Sequence, residues 1–124
     1  MNLTSIDPAA LLLLHRESLE DIGEDAGPCD EVLLEAALAY PLHLAVLEVV
    51  DVAAIAAAYA TGILKYRPFV LCNERAALLA MGLFLYTNDW GLNAPQGEAV
   101  RVITDLSGGR VEEADLADWI RGYL

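Results

Sequence analysis

The chain has 124 residues, with 7 Lys or Arg against 19 Asp or Glu, a formal net charge of −12 and a pI near 4.2. So acidic a chain argues against a general nucleic-acid or anionic-membrane binder, because both need a basic face, while its 56 % apolar content argues against disorder and for one buried core. The longest apolar runs are about ten residues, too short to cross a bilayer. The two cysteines, Cys29 and Cys72, fit no metal spacing, and the N-terminus opens polar with no basic n-region. A cytoplasmic location with reduced thiols, and a single domain over residues 1–124, are therefore expected.

In chain order, Asp7-Pro8 reads as an N-cap followed by proline at the first helical position. Leu11, His15, Leu19 and Ile22 follow at helical spacing, and that stripe ends near Gly23. Gly23–Pro28 is a turn-rich loop. Asp30 can cap a second helix through Tyr40, which Pro41 is expected to stop. Leu42–Val50 (LHLAVLEVV) reads as extended, a small hairpin or flap. Asp51 can cap an alanine-rich third helix through about Lys65, and Arg67-Pro68 breaks it. Ala76–Tyr86 carries no charge on any face, which predicts a central, buried helix. Pro95 opens another helix, Ser107-Gly108-Gly109 closes it, and Glu112–Tyr123 forms the last. The fold class is all-α: a compact helical bundle around one buried helix, with a short extended element.

The charge is unevenly placed. Lys65–Arg75 holds three bases and one acid, while the rest of the chain holds four bases against eighteen acids. The first amides of a helix lack intrahelical partners, and with the positive end of the macrodipole they form a ready anion site. Asn73 reads as the cap of the apolar helix, and Arg75 in its first turn can fork onto phosphate. The plainer alternative stays open: Arg67 and Arg75 pair with nearby acids, and Asn73 only caps.

The same stretch resembles the central motif of the Fic/Doc family. That motif runs His-Pro-Phe-x-Asp-Gly-Asn-Lys-Arg-Thr-Ala before an apolar helix; here it reads Arg67-Pro68-Phe69-Val70-Leu71-Cys72-Asn73-Glu74-Arg75-Ala76-Ala77. Leu14-His15, the turn Ile22–Gly27 (IGEDAG), Leu33–Pro41 (LLEAALAYP), Ala56–Phe69 (AAAYATGILKYRPF) and Phe84–Leu92 (FLYTNDWGL) extend the likeness over nearly the whole chain, closest to the Doc, or "death on curing", toxin branch. The resemblance implies a compact, mostly helical fold and transfer of part of a nucleoside triphosphate to a protein hydroxyl, usually AMP in the Fic branch and the γ-phosphate in the Doc branch. It implies a translation factor such as elongation factor Tu as target and a small Phd-like antitoxin as partner. In the family the motif His takes the hydroxyl proton, the acid holds Mg²⁺, and the Asn, the Arg and the loop amides hold phosphates.

The departures fall on the chemistry. Arg67 replaces the His, and a guanidinium stays protonated, so it is no general base. Leu71 replaces the acid and offers Mg²⁺ no oxygen, so no metal ligand is assigned and Mg²⁺ is doubtful. Glu74 replaces the Lys and Ala76 the Thr. Losing the base alone costs about 10² to 10⁴ in rate. The candidate site is then Arg67 and, tentatively, Glu74 at the catalytic positions, with Asn73, Arg75, Cys72 and Arg67 as phosphate or nucleotide contacts. Glu74 standing in as metal ligand or base, Tyr66 as base, a reactive Cys72, and His15 as a core or a catalytic imidazole are further readings. His43 is expected to be exposed, and Trp90 and Trp119 to be core or interface residues.

Three functions follow. The first is an atypical Doc-like transferase of a toxin–antitoxin module, acting on a nucleoside triphosphate with altered or lost catalysis. The second is an inactive Fic-fold pseudoenzyme that binds protein, with LHLAVLEVV adding a strand to a target or pairing with itself in a homo-oligomer. The third has Arg67 adapting the pocket to another anion. Whether the chain is an enzyme stays open at this level.

Overall fold

In the computed structural model, which describes residues 3–124, Asp7 caps α1 (Pro8–Glu20) by accepting the Ala9 N–H at 3.0 Å. Leu11, His15 and Leu19 form its buried face, whereas Ile22 lies beyond the helix and is exposed. Asp30 caps α2 (Glu31–Leu47) through the Leu33 N–H, and Asp51 caps α3 (Val52–Tyr66) through the Ala54 N–H. Each cap satisfies an amide that the helix itself leaves without a partner. Then follow α4 (Asn73–Thr87), α5 (Gln96–Ser107) and α6 (Glu113–Arg121). The fold is all-helical, as the patterning implies.

Two expectations about the middle of the chain are corrected. Pro41 does not stop α2, and Leu42–Leu47 is helical rather than extended; only the short link Glu48–Asp51 is not. Among the described residues there is no hairpin, and the single isolated bridge joins Cys29 to Phe69. Proline removes the N–H that would bond the carbonyl four residues back, here that of Ala37. That oxygen faces Gly62 of α3, where a Cβ would overlap it. The missing bond coincides with a close approach of the two helices, and the residues after Pro41 are mostly good helix formers.

The second correction concerns the centre. Ten of the fifteen residues of α3 are buried, against seven of fifteen in α4. α3 packs against α2, α4, α5 and α6, while α4 packs against α1, α3 and α5. Alanines at 53, 56, 57, 58 and 60 let neighbours close in on α3 from several sides. Absence of charge over Ala76–Tyr86 reflects a broad apolar face, not complete enclosure; Tyr86 stands well exposed.

The turn between α3 and α4 positions the segment of interest. It lies at the C-terminal end of α3, beside the start of α2, because the Asp30 N–H donates to the Pro68 carbonyl at 2.9 Å.

Candidate functional site

Arg67 ends α3 in a left-handed conformation, φ 45°, with its N–H on the Ile63 carbonyl. Pro68 and Phe69 turn inward and are buried, while Val70 and Leu71 are exposed. Phe69 lies on the ring of His15, centroids 4.1 Å apart. Cys72, again left-handed at φ 59°, stands just before α4 at the cap position and offers no side-chain cap. Two left-handed residues in six fold the chain back sharply.

Asn73 is the first residue of α4 rather than its cap. Its Oδ1 accepts the Phe69 N–H at 3.0 Å and its Nδ2 donates to the Phe69 carbonyl at 2.9 Å. The buried carboxamide therefore closes the loop on itself, and both polar ends are satisfied within it.

The charged side chains also have partners. Arg67 Nη2 lies 2.9 Å from Glu74 Oε1, and the same oxygen accepts Ser107 Oγ–H at 2.9 Å. The Arg67 guanidinium, Glu74's own amide and the Ser107 hydroxyl hold the Glu74 carboxyl below its ordinary value. A carboxylate at this place is also what the helix dipole favours. Arg75 Nη1 donates to Ser18 Oγ at 2.7 Å. The first helical hydrogen bond into α4 is from the Ala76 N–H to the Cys72 carbonyl. The amides of residues 73 to 75 thus precede it, and Glu74 brings its own anion to that turn.

Two hollows flank the loop. One, about 250 Å³, lies between α1, α4 and α5 with Ser18, Glu74, Arg75 and Thr104 on its walls. The other, about 350 Å³, is bordered by His15, Gly27, Cys29 and Phe69. His15 is buried, and its Nε2 has no hydrogen-bond partner. Burial pushes the imidazole below its usual 6.5, opposed in part by the carbonyls of Cys72 and Leu71.

The structure thus brings Arg67, Cys72, Asn73, Glu74 and Arg75 into one turn and its helix start. Tyr66 lies aside, with Lys65 Nζ 5.4 Å from its ring centroid and 5.8 Å from that of Tyr40. His43 is exposed, but on α2. Trp119 is half-buried and donates to Glu98 at 2.7 Å. The sequence reading missed Ser18, Ser107 and the 23–30 segment as neighbours of the turn. Ser18 was within reach of pattern, three residues after His15 on one helix face. Ser107 and Asp30 come from distant segments with no local signal.

The strip beside the turn is also relocated. The expected flap was Leu42–Val50; the segment that borders the turn is Gly23–Asp30, through the Cys29–Phe69 bridge and Gly27, which faces Val70. Gly27 takes φ 68°, a backbone state open to glycine.

Comparison with known proteins adds the lineage. The family model described as Fic/DOC family matches residues 5–85, more than half of the chain. The chain belongs to the Fic/DOC family. No curated protein matches it. The matched region of this Fic/DOC chain takes in α1 to α3, the turn and most of α4.

The residues present do not fit Mg²⁺. Leu71 offers no oxygen, Glu74 is held by Arg67 and Ser107, and no group of three ligating side chains exists among the described residues. For a phosphate, Arg67, Arg75 and the first amides of α4 are the contacts this Fic/DOC chain could offer, with Glu74 in competition for the same place.

Proposed function

We propose that this Fic/DOC chain is a component of a Doc-like toxin–antitoxin module that has given up group transfer and keeps the fold to bind protein. The observation that carries the reading is the Arg67–Glu74 pair, locked by Ser107. It puts a permanently protonated guanidinium where the reaction needs a proton acceptor, and it sets a carboxylate against any incoming phosphate. Phosphoryl transfer relies almost wholly on positioning and charge stabilisation, and both are weakened here. A Phd-like antitoxin, or a translation factor bound without modification, is the partner this reading implies.

One observation favours a second reading, a retained nucleotide grip. The first turn of α4 has no side-chain cap, and Arg75 is exposed beside it. Thermal melting with millimolar ATP, GTP and inorganic phosphate, each with and without Mg²⁺, separates the two. A ligand that binds only the folded state at a hundred times its Kd stabilises by about 2.7 kcal/mol. No shift with any ligand is expected. A Mg²⁺-dependent rise with a nucleotide would overturn the non-catalytic reading, and a Mg²⁺-independent rise abolished by Arg75→Ala would establish the grip.

A further inference from the structure

At the other end of α3, some fifteen residues from the turn and so about 20 Å away along a straight helix, lies a larger groove. It has a volume of about 890 Å³ and is walled by the end of α2, the start of α3 and α6. Its floor is apolar, from Leu44, Val50, Ala54, Ala114 and Ala117. Val49 on its edge is wholly exposed, and the adjoining Val46 and Leu47 are more than four-fifths exposed. A cluster of uncovered valine and leucine marks an interaction surface rather than a scattered residue.

The rim is acidic. Asp51 and Asp118 are both taken up by Arg121. Glu113 uses Oε1 to accept the Tyr40 hydroxyl at 2.7 Å, and Glu48 has no ion-pair partner among the described residues. Burial, Glu113 and Glu48 together push the Tyr40 phenol up to about 12. Glu48 and Glu113 both line the groove, together with the Tyr40 hydroxyl that Glu113 binds.

We infer that this groove docks a lysine- or arginine-bearing amphipathic segment of a partner protein, whose apolar side chains cover Val49 and the floor while its basic ones meet Glu48 and Glu113. Charge complementarity selects this occupant. A second copy would lay the same acidic rim against itself, since a two-fold contact pairs like with like, in a chain already at −12. A helix laid into a groove with apolar anchors and a charged flank is an established recognition mode, and the acid rim adds steering. The inference names a partner class for the binding role proposed above; nucleotide binding at the turn would defeat that role's non-catalytic part and leave this groove untouched.

The test uses the full chain and three fluorescent peptides of equal length: one with lysine and leucine at helical spacing, one with glutamate in place of lysine, and one with serine in place of leucine. Micromolar binding is expected for the first alone. Glu48→Lys and Val49→Asp, both at exposed positions, should each weaken it at least tenfold, while Glu17→Lys, a Glu-to-Lys change at an exposed position of α1, should leave it within twofold. Equal weakening by all three variants would reduce the effect to diffuse attraction and overturn the proposal. Equal binding of the serine peptide, or no binding at all, would overturn it too. A concentration-dependent dimer in sedimentation that Val49→Asp dissolves would assign the groove to a second copy instead.

Discussion

The backbone oxygen of Ala37 meets α3 at Gly62, on the one turn of α2 where Pro41 withholds an N–H. The contact depends on Gly62 having no side chain. Gly62→Ala should therefore destabilise the fold by roughly 1–3 kcal/mol through overpacking, despite the better helix propensity of alanine. Urea unfolding followed by far-UV circular dichroism measures it. A gain in stability would mean that the two helices do not approach as described.

Cys72 carries a left-handed backbone at the position where the family's motif has Gly. Relief of that strain is worth roughly 1–2 kcal/mol for an L-residue, and the added freedom of an unfolded glycine offsets roughly 0.4–1 of it. Cys72→Gly is expected to be neutral or stabilising by up to about 1.6 kcal/mol, and Cys72→Val clearly destabilising. If valine is tolerated as well as glycine, the conformation of the turn is wrong.

His15 gives the first acid-sensitive step. Its folded pKa lies below the usual 6.5 because burial disfavours the imidazolium. The unfolded chain therefore binds a proton first, and stability falls as pH drops below 6.5 towards the folded value, by at most about 1.4 kcal/mol per pH unit. Glu74 and Asp51 are lowered from 4.5 and 3.8, so their contribution stays intact above those values and is lost only as pH falls further. Denaturant midpoints between pH 7 and 5.5 should slope for the wild type and flatten for His15→Phe. The same slope in both would remove His15 as the source.

Restoring the family's residues tests how far the loss is confined to the turn. If the non-catalytic reading holds, the wild type shows no Mg²⁺-dependent rise in melting temperature with ATP, and the combined variant Arg67→His, Leu71→Asp, Cys72→Gly and Glu74→Lys should gain one. A folded variant without that gain would show that binding had also been lost elsewhere, for instance at Gly23–Asp30.

Three of the six helix starts were readable because Asp7, Asp30 and Asp51 act locally, each on an amide two or three residues ahead. The motif likeness placed Arg67, Cys72, Asn73, Glu74 and Arg75 together for the same reason: they are neighbours in the chain. What failed was non-local. Pro41 reads as a stop because sequence shows its missing N–H but not the Gly62 beside the orphaned carbonyl. Ala76–Tyr86 looked most central because it lacks charge, whereas small side chains on α3 decided which helix could be surrounded. The partners of Glu74 and Arg75, Ser107 and Ser18, lie on other helices, and hydroxyl residues carry little patterning of their own.

The bond from the Asp30 amide to Pro68 makes one backbone proton a gauge of the turn. Solvent deuterium can replace it only when the α3–α4 connection lifts away from the head of α2. Its exchange time would therefore clock the breathing of that connection, and anything that clamps or loosens the turn should register there without touching α2 itself.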